Sequence, residues 1–224
     1  HHYRHLHCAR RVRSEPGHVH LSGFFLCHMG VWRKIDEDFL GKRGFIVPDD
    51  YLVAITSKNF DAAAEYTKER FNLPESEEEI IKEWFDMAIE SYTNEVKLKA
   101  GVIDYLKQLK AEGIKIAAAT SSDERLFRPC LTHCGIMKYF DAFTVTQEVK
   151  RGKGFPDVYQ LAAEKLSLKP EQCVVYEDIL KGVEGAKMDD FYVVGVEDIH
   201  SSYEKNEIMQ LSDRYILSFE ELLD

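Results

Sequence analysis

The chain has no run of about 18 consecutive apolar residues, so no stretch of it reads as a membrane-spanning helix. Arg10, Arg11 and Arg13 stand ahead of LSGFFLCHMGVW, but that stretch is weakly apolar and lacks a small-residue cleavage site, so it is not read as a signal peptide. Cysteine is scarce and odd in number, five in 224 residues at irregular spacing. That argues against a secreted disulfide framework and for a reducing, cytoplasmic setting. Positive charge is also in deficit: the formal net charge is -10 and the pI is near 5.4. Neither nucleic acid nor a membrane surface is then an expected partner, and any anionic ligand must be held by local charge. Nucleotide-binding glycine signatures are missing too, since neither G-x-x-x-x-G-K-[ST] nor G-x-G-x-x-G follows a strand-like run.

What is present is unevenly distributed. The first 34 residues hold seven of the nine histidines and an excess of five positive charges, leaving the remainder with an excess of fifteen negative ones. They show no clear helical or strand period, and so abrupt a change of composition marks a tail, a tag or a segment of other origin, such as a frameshift in the source gene. Further on, Cys130 and Cys134 flank His133 on a predicted helix. No second ligand pair follows, so they are read as ordinary helix residues rather than a zinc site.

From Asp36 the pattern becomes regular. NFDAAAEYTKERFNL and SEEEIIKEWFDMAIESYTNEV read as two amphipathic helices, the second opening at Pro74 and Ser76. After Gly101 helices alternate with short apolar runs: IKIAAAT, AFTVT, CVVYE, FYVVGV and a final DRYILS. These strands are too apolar to leave one face wet, which predicts an α/β fold, a doubly wound parallel sheet covered by helices on both faces, with a small helical cap domain. The expected boundaries are an anomalous segment over 1–40, the helical cap over 41–97 and the α/β core over 98–224.

Ligands of such sheets gather at the carboxyl ends of the strands. Three polar sets fall there: Thr120, Ser121 and Ser122 after IKIAAA; Lys153 after AFTVT; and Glu177 and Asp178 after CVVY. Each alone has an ordinary explanation as a helix cap, a solvated lysine or capping acids. Together they suit a phosphate and a hard divalent cation. Backbone N–H groups and a lysine neutralise phosphoryl oxygens, while adjacent carboxylates supply the oxygen ligands that Mg²⁺ prefers.

These residues resemble a family. From about residue 41 onward the chain is similar to the haloacid dehalogenase-like hydrolases, in the β-phosphoglucomutase-like branch with a helical cap. IKIAAATSS resembles the family's second motif, GKGFPDVY the third (GKPxPDxY) and VVYEDILKGVEGAK the fourth (hhxEDSxxGxxAA). The resemblance implies a phosphatase or phosphomutase acting on a small phosphorylated metabolite such as a sugar phosphate, present as a monomer or weak dimer. It implies that Thr120 and Lys153 are catalytic and hold the transferring phosphoryl group, with Ser121 and Ser122 beside it. It also implies that Glu177 and Asp178 lie at Mg²⁺, Asp178 being the direct ligand, and that Lys58, in the cap, contacts phosphate or sugar.

One part of the resemblance fails. The family's first motif is an apolar strand ending in DxDG, whose first Asp attacks phosphorus and whose second acts as acid and base. Counting back by the family's spacing reaches HVHLSGFFLCH, with His20 and Ser22 where the aspartates belong and only Gly23 in agreement. Asp36-Glu37-Asp38 is the only D-x-D before the cap, and it reads as solvated acids of a helix leading into FLGKRG. A non-catalytic protein that binds a phosphorylated ligand on the same fold is the alternative.

Overall fold

A computed structural model describes residues 18–22, 29–56, 58–95 and 98–224. By contacts the chain divides into two units, one of His1–Cys27, Leu98–Glu124 and Leu131–Asp224, the other of His28–Lys97 with Arg125–Cys130. The helical unit thus takes in Met29–Gly41, ahead of the boundary expected at residue 41.

The first unit is built on one sheet of six parallel strands: β1 His18–Ser22, β2 Lys115–Thr120, β3 Ala142–Val145, β4 Cys173–Glu177, β5 Tyr192–Val196 and β6 Arg214–Ile216. Their order is β3-β2-β1-β4-β5-β6, every neighbouring pair parallel. This is the doubly wound α/β arrangement, and its order reverses between β1 and β4, where such sheets open a crevice at their carboxyl ends. The five strands expected after Gly101 are all present.

β1 was not expected, because its segment shows no convincing period. It lies at the centre of the sheet, with Val19 level with Ile116 on one side and Val174 on the other. Backbone pairing on both sides supplies what local sequence does not, the usual way in which tertiary context overrides strand propensity.

Alternation along β4 sends Cys173, Val175 and Glu177 to one face and Val174 and Tyr176 to the other. On the first face the core gathers Ala117, Ala119, Val158, Tyr159, Ala162, Val175, Val183, Ala186 and Phe191. The three alanines that end IKIAAAT are poor strand formers, but their small side chains let a helix lie close. On the second face Tyr176 meets Tyr105 hydroxyl to hydroxyl at 2.5 Å, and both rings pack against Phe219. Both faces are therefore covered, as strands this apolar require.

The helical unit contains α1 Met29–Gly41, α2 Asp49–Thr56, α3 Phe60–Phe71 and α4 Glu77–Glu95. The cap expected at Ser76 is formed: its hydroxyl accepts from the Glu79 N–H at 3.2 Å while Glu79 accepts from the Ser76 N–H at 2.8 Å. Asn59 caps α3 by accepting from Ala62 N–H at 2.8 Å. Phe39, Leu40, Tyr51, Ala64, Ile80 and Ala88 are fully buried and form the centre of this unit.

One expectation is corrected here. Asp36-Glu37-Asp38 does lie on a helix, but Asp36 is not solvated: it is 8% exposed, on the buried side of α1 with Ile35, Phe39 and Leu40. The helical period turns Glu37 and Asp38 outward and Asp36 inward. Burial, reinforced by the charge of Glu37, pushes its carboxyl up to about 7.

Candidate functional site

Thr120 ends β2, and its hydroxyl oxygen accepts from the Ser122 N–H at 3.0 Å, closing a tight turn ahead of the helix Glu124–His133. That bond leaves the threonine proton able to donate. Ser121 is exposed and Ser122 half-buried on the same turn. One strand, β1, separates β2 from β4, so the Thr120 and Glu177 backbones stand two strand spacings, roughly 10 Å, apart.

Lys153 is not where the strand-end rule puts it. It follows β3, the edge strand, yet its ammonium sits 3.0 Å from Glu177 Oε1 on β4, three strands across the sheet. The segment after β3 carries it back over the carboxyl ends of the strands. Neither group is open to water: the Lys153 side chain is 9% exposed and that of Glu177 0%. The Tyr159 hydroxyl donates to the same oxygen, Glu177 Oε1, at 2.6 Å. Read along the chain, Lys153 and Glu177 have separate roles, whereas the fold pairs them.

The glycines that punctuate the next helix, Leu180–Lys187, explain how this pair fits. A methyl group on Gly182 would overlap the Glu177 carboxylate, with Oε1 at 2.6 Å and the other carboxyl atoms nearer still. One on Gly185 would fall 2.6 Å from the Phe155 carbonyl and closer to that of Lys153. Side-chain-free positions here let the helix seat both the carboxylate and the lysine loop. Gly185→Ala is therefore expected to lose about 1–3 kcal/mol in urea unfolding although alanine is the better helix former. The obstacle is backbone, which yields little; an unchanged or higher midpoint would contradict this packing.

Asp178 follows directly and is 9% exposed. Burial, then the charge of Glu177, pushes its carboxyl up to about 6, against the pull of Lys153 and Lys99. Lys99 is an addition that the sequence did not suggest: its ammonium meets Asp198 Oδ2 at 2.6 Å and the Glu197 carbonyl at 2.8 Å. Nothing in LKAG marks that lysine. Glu197 and Asp198, by contrast, directly follow β5, and the strand-end rule applied to FYVVGV would have found them.

The backbone of β1 bears on the missing acids. Ser22 is level with Ala119, and Leu21 with Tyr176, so position 22 stands one residue short of Thr120 and level with Glu177. His20 is level with Ala117 and Val175, two residues further inside the sheet. Register thus favours position 22 over position 20 at the strand end. Gly23 lies outside the described residues.

Lys58 belongs to the helical unit. It is exposed just before the Asn59 cap, with its ammonium 5.4 Å from the centre of the Tyr66 ring. Cys130 is buried and Cys134 half-buried. Among the described residues no group of three or more His, Cys, Asp or Glu could hold a metal ion, and no helix is long and apolar enough to cross a membrane.

A family model described as haloacid dehalogenase-like hydrolase matches residues 27–188. A phosphorylated carbohydrates phosphatase of Thermotoga maritima is 38% identical over 105 residues, 47% of this chain and 46% of that one. Hexitol phosphatase A of Escherichia coli is 30% identical over 169 residues, 75% of this chain and 76% of that protein. Among solved structures, β-phosphoglucomutase from Clostridium difficile superposes with a TM-score of 0.64 at 17% identity, covering 92% of each chain, a likeness of fold. The chain spans about half the length of several of the curated relatives that it matches.

Proposed function

Because this chain belongs to the haloacid dehalogenase-like hydrolases, we propose that its strand-end site binds the phosphoryl group of a small phosphorylated metabolite, a sugar phosphate, as a Mg²⁺-dependent phosphatase or phosphomutase does. The observation that carries this reading is the buried Lys153 ammonium, held at 3.0 Å from Glu177 at the crevice of the sheet. A desolvated cation at such a place attracts a phosphoryl oxygen far more strongly than a solvated one. Thr120 adds a hydroxyl donor at the turn through Ser121 and Ser122. The names of the relatives, which act on phosphorylated carbohydrates and hexitol phosphates, support the substrate class.

Haloacid dehalogenase-like hydrolases generally use Mg²⁺. The residues here fit that ion in kind: Glu177 and Asp178 are hard oxygen donors, and the pressure of burial and mutual charge on Asp178 is what a divalent cation offsets. Asp178, with Glu177, would hold it. Bound there, Mg²⁺ would help neutralise the phosphoryl oxygens.

A second reading, binding without turnover, is favoured by one observation. His20-Leu21-Ser22 stands at the end of the central strand, where the family's chemistry needs its aspartates. One experiment separates the readings and tests both. Inorganic phosphate is titrated calorimetrically into the protein and into Lys153→Met, and hydrolysis of a generic aryl phosphate is followed with and without Mg²⁺. Saturable phosphate binding that weakens about tenfold or more in Lys153→Met is the result expected. Turnover assigns the enzyme reading, and binding without it the second. Equal phosphate affinity in the two proteins would remove Lys153 from the site.

A further inference from the structure

The geometry points to Tyr159 as the positioning residue of this site: its hydroxyl fixes the Glu177 carboxylate, and through it the ammonium of Lys153, so that the anion site is pre-organised by a side chain that touches no ligand. The inference rests on the reading of Lys153 as the phosphoryl-binding cation.

Three observations converge on it. First, Glu177 Oε1 is a shared acceptor, taking the Tyr159 hydroxyl at 2.6 Å and the Lys153 ammonium at 3.0 Å. A lysine head is a compact charge on a flexible four-carbon stem, so its place is set by whatever holds the oxygen it faces. Second, Tyr159 is itself closely packed. It is fully buried, sits on the helix Asp157–Lys165, and meets Phe191 edge to face with ring centres 6.2 Å apart. Third, Gly182 lies against the carboxylate, where even a methyl group would displace it. Hydroxyl and helix backbone thus both limit where this carboxylate can sit, and the lysine is tied to it. A short hydrogen bond to an ionised acceptor is among the stronger neutral-donor interactions in a protein, and stronger still in an interior.

The role separates from mere packing because Tyr159→Phe keeps the ring and removes only the hydroxyl. Gly182→Ala displaces the same carboxylate without touching Tyr159, and carries the test if Tyr159→Phe fails to fold. Val158→Ala, at a fully buried neighbour on the same helix, serves as a packing control. Inorganic phosphate is titrated calorimetrically into each, and the crystal structure of Tyr159→Phe is determined. Phosphate affinity is expected to fall about tenfold in Tyr159→Phe and in Gly182→Ala, and to stay within about twofold in Val158→Ala. Tyr159→Phe or Gly182→Ala binding phosphate as tightly as the unaltered protein, or Val158→Ala losing as much as they do, would overturn the assignment. If the unaltered protein binds no phosphate, the reading of Lys153 fails and the crystal structure decides the positioning role alone. A Lys153–Glu177 separation beyond 4 Å in Tyr159→Phe supports it, and an unchanged 3.0 Å pair refutes it.

Discussion

Glu177→Ala is expected to lower the stability of the α/β unit by about 3–5 kcal/mol, the range found when one partner of a buried ion pair is deleted. The physical cause is not the lost attraction alone. With the carboxylate gone, a lysine side chain only 9% exposed is left without its partner, and the Tyr159 hydroxyl loses the acceptor it meets at 2.6 Å. Adding Lys153→Met should recover much of the loss, because two apolar side chains replace two charges. A residue of about 1–3 kcal/mol should persist from the stranded hydroxyl. Urea unfolding followed by far-ultraviolet circular dichroism reads both proteins. A Glu177→Ala loss under about 1 kcal/mol, or losses that simply add in the double variant, would mean that the pair is not energetically coupled.

A second large effect is expected in the helical unit and concerns pH. Asp36 is 8% exposed, and its carboxyl titrates near 7 in the folded unit against 3.8 for the ordinary group. Between those values the folded state binds a proton that the unfolded state has released. The acid's contribution is therefore fully present below about pH 4 and is lost as pH rises through 7. The difference amounts to at most about 4 kcal/mol. Asp36→Asn removes the charge at every pH, so it should match the unaltered protein near pH 4 and exceed it by a few kcal/mol at pH 8. Glu37 opposes the charge further. On the neighbouring helix the Tyr51 hydroxyl is taken up by Thr67 Oγ1 at 2.9 Å, and Thr67 in turn donates to the Ala63 carbonyl at 2.7 Å. Both tryptophans, Trp32 and Trp84, lie in this unit, so fluorescence in urea reports it selectively. A constant gap between the two proteins from pH 4 to pH 9 would show that Asp36 does not titrate on folding.

Both effects arise from residues that the sequence brought into view and only partly interpreted. The polar residues at strand ends were legible because two physical regularities coincide: apolar runs of strand length, and the clustering of ligands where such strands stop. Thr120, Lys153, Glu177 and Asp178 were found in that way, and the same rule extended to FYVVGV would have added Asp198. Two helices of the second unit, α3 and α4, were legible from apolar spacing, and the start of α4 from Ser76, whose capping bond is local. What stayed hidden was long-range. Tyr159 looks like one more core aromatic until its hydroxyl is seen to face Glu177, 18 residues away. Lys99 meets Asp198 across 99 residues, a separation to which no periodicity is sensitive.

The sequence by itself determined the alternation of strands and helices, the parallel sheet and the polar residues at the strand ends, because each follows from burial period, turn chemistry or short-range spacing, and its motifs carried the likeness to a known family. Only the tertiary structure decided that His18–Ser22 forms the central strand, that Lys153 crosses the sheet to Glu177, and that Asp36 faces inward. The reason is common to all three. A strand without its own pattern is made by its neighbours' hydrogen bonds, a flexible lysine goes where an opposite charge is fixed, and an acid is buried when the residues on either side of it on the helix have more to gain from burial than it has to lose.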